Sequence, residues 1–301
     1  MTFKSQNTAE KTTHQNQFKV TEASGLLKFL LLCMPGKSRN NIKSLLGYRQ
    51  VSVNNHIETH FDFQVKPGDE VSLNKERAEE EVHCRGFRIL HEDSSVVVID
   101  KDAGLLTMAT DTENFHTAYS ILSRRVKRKN PDERIFIVHR LDRDTSGVMM
   151  FAKSENVQSI LQRDWHQNVS ERTYIAVVEG KVENKQGMVR SFLKENKALV
   201  MYSTRDTENG DEAITHYKVL KQNNDYSLLE IELETGRKNQ IRVHMKDIGH
   251  CIVGDEKYGS KQNPLGRMGL HAKILAFQHP VTGKTARFET PVPAKFARLF
   301  D

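Results

Sequence analysis

Nine consecutive residues, His139-Arg140-Leu141-Asp142-Arg143-Asp144-Thr145-Ser146-Gly147, gather two arginines, a histidine and two carboxylates. A carboxylate beside a guanidinium can serve acid–base or nucleophilic chemistry, because the cation favours the ionised acid even where burial opposes it. The same residue types also build salt-bridged surface loops, and structural ion pairs perturb carboxylates as catalytic sites do. On composition alone these two readings stand level. A third is a glycosidase using Asp142 and Asp144 as acid and base, but hydrolysis gives no reason for the basic surfaces described below.

The loop needs elements to hold it. Ile135-Phe136-Ile137-Val138 before it and Val148-Met149-Met150-Phe151-Ala152 after it predict buried strands, with Thr145-Ser146-Gly147 turning the backbone into the second. Residues 88–105 read as strand, turn, buried strand and loop, residues 157–165 as a helix and residues 171–178 as a strand. From Tyr226 to Glu234, Leu229, Ile231 and Leu233 alternate with Glu230, Glu232 and Glu234, the pattern of a half-exposed strand. It runs into a helix with Ile241, Met245 and Ile248 on one face and Gly249 at its end. Residues 270–280 and 282–289 predict a hairpin. Many strands with few long helices imply an α+β fold built on a mixed, largely antiparallel sheet.

Lys and Arg number 45 against 39 Asp and Glu, with a pI near 9.1 and a mean hydropathy of -0.60 over 301 residues. A polyanionic partner fits only if the charge is clustered. It is: Tyr119, Leu122 and Val126 have helical spacing, and the remaining face carries Arg124, Arg125, Lys127, Arg128 and Lys129. That face suits either a solvated helix C-terminus or an RNA contact, and its nearness to the loop favours RNA.

Cys33, Cys84 and Cys251 lack any C-x-x-C spacing, so neither a zinc site nor a disulfide framework is expected; Cys33 and Cys251 read as small core residues in a reducing, cytoplasmic protein. His244 has no partner at metal-ligand spacing in His250 or His271, so no metal is expected. The longest apolar run, Phe29 to Met34, is too short to cross a bilayer, so no membrane partner is expected either. No Walker loop, dinucleotide fingerprint or nucleophile elbow occurs. A monomer is expected.

Residues 1–17 read as a disordered tail, with hardly an apolar side chain. Residues 18–75 read as a small α+β domain. Ser24 is placed to cap a helix bearing Leu26, Leu27, Leu30 and Met34, and Ser38 to cap a second bearing Ile42, Leu45 and Leu46. Arg39, Lys43 and Arg49 form a basic stripe outside, which could equally be the solvated face of a helical cap. Val51 and Val53 begin a strand, with Asn54-Asn55 as a hairpin turn and Lys66-Pro67-Gly68-Asp69 as a second turn. Residues 76–86 are an acidic linker, and residues 87–301 form the second domain.

The loop at 139–147 resembles the H-R-L-D-x-x-T-S-G signature of the RluA-type pseudouridine synthases, matching at every fixed position. The resemblance continues in residues 88–105, where Asp102 replaces a usual proline, and in Arg172-Thr173-Tyr174. It extends through Gly236-Arg237-Lys238-Asn239-Gln240-Ile241-Arg242-Val243-His244, with Asn239 where histidine is common, and to the hairpin of residues 270–289. Ser38-Arg39, Val51-Ser52-Val53-Asn54 and Lys66-Pro67-Gly68-Asp69 are similar to an S-four-like RNA-binding module.

The resemblance implies that uridine in structured RNA is isomerised to pseudouridine without a cofactor, ribosomal RNA being the first expected partner and transfer RNA the second. Asp142 becomes the catalytic carboxylate, Arg242 its ion-pair partner and Tyr174 the ring against the uracil; Asp144 inherits no role. Arg242 is expected to grip both oxygens of Asp142 with its planar fork. His139, Arg140 and Arg237 join the basic stripe and cluster as RNA-facing residues. The alternative is a non-catalytic RNA- or ribosome-binding protein on the same scaffold.

Overall fold

A computed structural model describes residues 16–47, 50–73, 86–110, 115–163 and 165–301. Most of the expected tail, Arg49, Cys84, residues 76–85 of the expected linker and the side chain of Lys129 lie outside the described residues. The chain divides into two compact units, residues 1–83 and 84–301.

In the first unit, helices α1 (Leu26–Cys33) and α2 (Arg39–Gly47) pack over short strands: β1 (Asn16–Lys19), β2 (Ser24–Gly25), β3 (Val51–Val53), β4 (His56–Ile57), β5 (Gln64–Val65) and β6 (Glu70–Leu73). Leu26, Leu30, Ile42, Leu46, Val51, Val65 and Val71 form the core. Ser24 does not cap α1: it pairs with Val65 in β5, and Gly25 holds the cap position with no side-chain bond. Ser38 does cap α2, accepting from the Asn41 amide at 3.2 Å. Asn54 and Asn55 both adopt positive φ (50° and 65°), as a tight turn matched to strand twist requires. On the outer side Arg39 is exposed, and Lys43 sits with Nζ 4.8 Å from the Phe61 ring centroid.

The second unit is built on one 11-stranded sheet. Its strands are β7 (Phe87–Glu92), β8 (Val96–Lys101), β9 (Phe136–Ile137), β10 (Ser146–Ala152), β11 (Val169–Glu179), β12 (Gln186–Glu195), β13 (Met201–Thr204), β14 (Asp211–Gln222), β15 (Tyr226–Leu233), β16 (Leu270–Gln278) and β17 (Thr285–Glu289). The main path runs β13-β12-β14-β15-β11-β16-β10-β8-β7, with β17 beside β16 and β9 beside β10. Every pairing is antiparallel except β10 with β16, so the sheet is mixed and largely antiparallel. At that parallel seam Gly147 (φ 113°) lies so close to Ala272 that a Cβ would collide with its carbonyl.

Helices α3 (Ala118–Lys129), α4 (Glu155–Arg163), α5 (Trp165–Asn168) and α6 (Gln240–Asp247) lie between strands. A capping box of Thr117 and Ser120 starts α3. Sequence and structure differ at three places. Only Phe136 and Ile137 of the expected first flanking strand pair with β10, and Ser146-Gly147 belong to β10 itself rather than to a turn. The alternation of β15 breaks where Ser227, Leu228 and Leu229 are all buried, because both faces are covered there.

Candidate active site

Asp142 sits on the loop between β9 and β10, and that loop is braced by its neighbours rather than by its own ion pairs. Thr107 Oγ1 accepts from the Leu141 amide at 3.2 Å and donates to the Leu141 carbonyl at 2.8 Å. The Gly104 amide donates to the Arg143 carbonyl at 2.9 Å. Lys101, fully buried at the end of β8, donates to the carbonyls of Asp102, Leu105 and Arg143 at 2.9, 2.8 and 3.0 Å. Burial pulls its pKa down to about 8, against the raising influence of Asp144. Asp102 is exposed, and its amide donates to the Gly86 carbonyl at 2.7 Å, a bond the usual proline could not make. The departure from the family pattern thus replaces ring stiffness with a hydrogen bond.

A second brace lies under the seam. Arg267 Nη2 donates to Ser146 Oγ at 2.8 Å, so the Ser146 hydroxyl donates onward to His271 Nδ1 at 2.7 Å, leaving His271 Nε2 to donate to Thr290 Oγ1 at 3.0 Å. Burial pushes His271 down to about 4 and keeps it neutral, as this chain of donors requires.

From α6, Arg242 reaches Asp142 with one nitrogen, Nη1 to Oδ2 at 3.1 Å. Its fork goes elsewhere. Nε and Nη2 donate to Asp255 Oδ2 and Oδ1 at 2.6 and 2.7 Å, and Nη1 also donates to Asn239 Oδ1 at 3.0 Å. This corrects the expectation of a two-oxygen grip on Asp142. A fork held on Asp255, whose side chain is 1% exposed, fixes the guanidinium, while Asp142 at 25% keeps an oxygen for a ligand. Burial would lower Arg242, but its bonds to Asp255 and the nearby charges of Asp255 and Asp142 outweigh that and raise it. Tyr258 completes the mount: its ring centroid is 4.7 Å from the guanidinium carbon, and its hydroxyl accepts from Asn239 Nδ2 and the Met201 amide at 3.0 and 3.2 Å.

Tyr174 projects from β11 with its ring against the core that includes Ile241 and Met245 of α6. Burial raises its pKa; Arg172 acts against this and Asp142 with it, which places the ring within electrostatic reach of both. Asp144, for which no role is expected, is held by Arg143 through Nε and Nη2, each at 3.1 Å.

The expected RNA-facing residues divide. Arg140, Lys127, Arg128 and Arg39 are exposed. Arg237 is exposed, with Nε on the Glu212 carbonyl at 3.0 Å, and Arg124 donates to the Phe115 carbonyl at 3.0 Å. Arg125 is turned inward onto Glu92 at 3.2 Å, which binds the cluster to β7 instead of extending it to a ligand. His139 is also turned to structure: Nε2 accepts from the Met150 amide at 3.1 Å, its ring lies 5.0 Å from Trp165, and burial lowers it to about 3. His244 is held between Thr215 Oγ1 and Ser191 Oγ at 2.8 and 3.0 Å. Cys33 and Cys251 are half-buried rather than core residues, Cys251 donating to the Tyr258 carbonyl.

The arrangement is a carboxylate at a partly open mouth, beside a fixed cation and near an aromatic ring. A sequence model of the RNA pseudouridylate synthase family matches residues 95–247. The chain is 33% identical to the uncharacterized RNA pseudouridine synthase YhcT of Bacillus subtilis, covering 87% of this chain and 88% of that one. It is 32% identical to ribosomal large subunit pseudouridine synthase D of Nitrosomonas europaea, covering 98% and 87%. The solved structure of human RNA pseudouridylate synthase domain containing 4 superposes with a TM-score of 0.58 at 26% identity, covering 71% of this chain and 91% of that one. The protein belongs to the RNA pseudouridylate synthase family and is an RNA pseudouridine synthase.

Proposed function

We propose that the enzyme isomerises specific uridines in structured ribosomal RNA, with Asp142 as the catalytic carboxylate, Arg242 as its partner and Tyr174 against the uracil. The observation that carries this reading is the mounting of Arg242: a guanidinium locked on buried Asp255 presents one N–H to Asp142 and leaves that carboxylate partly accessible. The reaction breaks the bond from the sugar to N1 of uracil, rotates the base and forms the bond to C5; the C5 hydrogen departs and N1 ends protonated. Nothing is oxidised and no group is gained. The ionised carboxylate suits attack on sugar or base, or proton relay at the oxocarbenium-like centre, and the target must leave its stack to reach it.

Relatives named for the ribosomal large subunit support ribosomal RNA before transfer RNA. The exposed Arg39 and Arg140 support backbone contacts that position the RNA without reading its sequence. The test follows hydrogen release from C5 of tritiated uridine in large-subunit ribosomal RNA from cells lacking the gene. Wild-type protein releases it at mapped positions, and Asp142→Asn releases none while binding RNA normally. Release by Asp142→Asn would remove Asp142 from the role; free uracil would indicate a hydrolase; neither product would leave a binding protein.

A further inference from the structure

Arg172 is a half-buried guanidinium with no acidic partner among the described residues. Its Nη2 donates to the carbonyls of Leu233 and Glu234 at 3.0 and 2.8 Å, and no carboxylate stands within ion-pairing distance among the described residues. The acids beside it are engaged: Glu171 binds Arg287 at 2.9 Å, and Glu234 binds His216 at 2.5 Å. Nε and Nη1 have no hydrogen-bond partner among the described residues, yet neither is sealed from solvent. The guanidinium carbon is 6.0 Å from the Trp165 ring centroid, and on the other side a Cβ on Gly236 would stand 2.7 Å from Nη1. Gly236 thus lets the end of the Arg172 side chain lie close against the backbone.

A buried charge is costly unless something pairs with it. Two carbonyl oxygens orient Arg172 without neutralising it. Two residues further along β11 is Tyr174, which pairs with Ala272, and Ala272 pairs in turn with Gly147 at the end of the Asp142 loop. Among the described residues this cation has two open donors and no counter-ion, and what would complete it is an anion brought from outside.

We propose that Arg172 is a binding site for one RNA backbone phosphate next to the nucleotide delivered to Asp142. The inference rests on the reading of an RNA substrate at that site and adds the residue that holds its backbone there. A phosphate offers the planar fork two oxygens, the geometry arginine matches better than lysine. Burial holds the Arg172 pKa below its usual value, in line with a charge short of a counter-ion.

The experiment uses the full chain and a fluorescein-labelled oligouridylate, with binding followed by anisotropy between about 50 and 200 mM KCl. Arg172→Gln is expected to flatten the slope of log K against log salt by about 0.7, the loss of one phosphate on a single strand. Arg172→Lys keeps the slope, and Arg287→Gln, which removes a neighbouring cation already paired with Glu171 and Glu289, leaves it unchanged. An unchanged slope for folded Arg172→Gln, or an equal drop for Arg287→Gln, overturns the proposal. Should Arg172→Gln fail to fold, phenylglyoxal labelling of the wild-type protein decides: the oligouridylate is expected to protect Arg172, and equal labelling with and without it overturns the assignment. Both measurements detect phosphate contact alone, so a failure to release C5 hydrogen would remove the proposed reaction without deciding this question.

Discussion

A guanidinium has one fork, and the enzyme gives that of Arg242 to Asp255 rather than to Asp142. Arg242→Lys keeps the charge but loses this mount. Activity at saturating RNA is expected to fall by about two orders of magnitude with little change in RNA affinity, because the cation no longer stands where Asp142 needs it. Asp255→Asn is expected to do nearly the same, since this buried carboxylate holds the guanidinium of Arg242; C5-hydrogen release and binding measured side by side check both. Asp142, Arg242 and Tyr174 were legible in the sequence because each lies in a contiguous pattern. Asp255 and Tyr258 were not, since they stand in a stretch without periodicity and act on a residue 13 and 16 positions away. Lys101 carries no sign of its burial, because a lysine ending a strand usually reaches water.

Elements rather than loops make the site rigid. The seam between β10 and β16 carries Gly147 at a positive φ against the Ala272 carbonyl, so Gly147→Ala faces backbone strain and a collision together. A loss of roughly 3 kcal/mol or more in urea unfolding is expected, with Asp142 displaced and activity lost alongside. The sequence showed the strands on either side of the loop but assigned Ser146-Gly147 to a turn. Serine and glycine favour turns by their local chemistry, and only the distant partner strand draws them into the ladder. Ser24 was misread for the same reason: its pairing with Val65 outweighs its capping preference.

For the whole molecule, charge governs both RNA binding and acid tolerance. Arg39→Gln with Lys43→Gln in the full chain is expected to flatten the salt slope of ribosomal RNA binding by somewhat under two units, with turnover at saturation unchanged. An unaltered slope would reassign the first unit as a structural cap. Stability carries the mark of His271, which is neutral in the fold until about pH 4 while the unfolded chain takes up its proton near 6.5. Between those values the unfolded state holds the extra proton, so stability falls as pH falls, by roughly 1.4 kcal/mol per pH unit for this group. His139 adds in the same direction. Urea unfolding at pH 7, 6 and 5 checks it, His271→Asn being expected to show a shallower fall. The turning of Arg125 and His139 inward was not legible, because it depends on Glu92 and Met150, which only the fold brings to them.

The seam between β10 and β16 has a further consequence during synthesis. Residues 146–147 meet residues 271–272 across most of the second unit's length, a long loop to close and therefore a late event in folding. A ribosome that has made Asp142 and Arg242 has not yet made the strand that frames them. The nascent chain thus stays without a working site until nearly all of it has emerged.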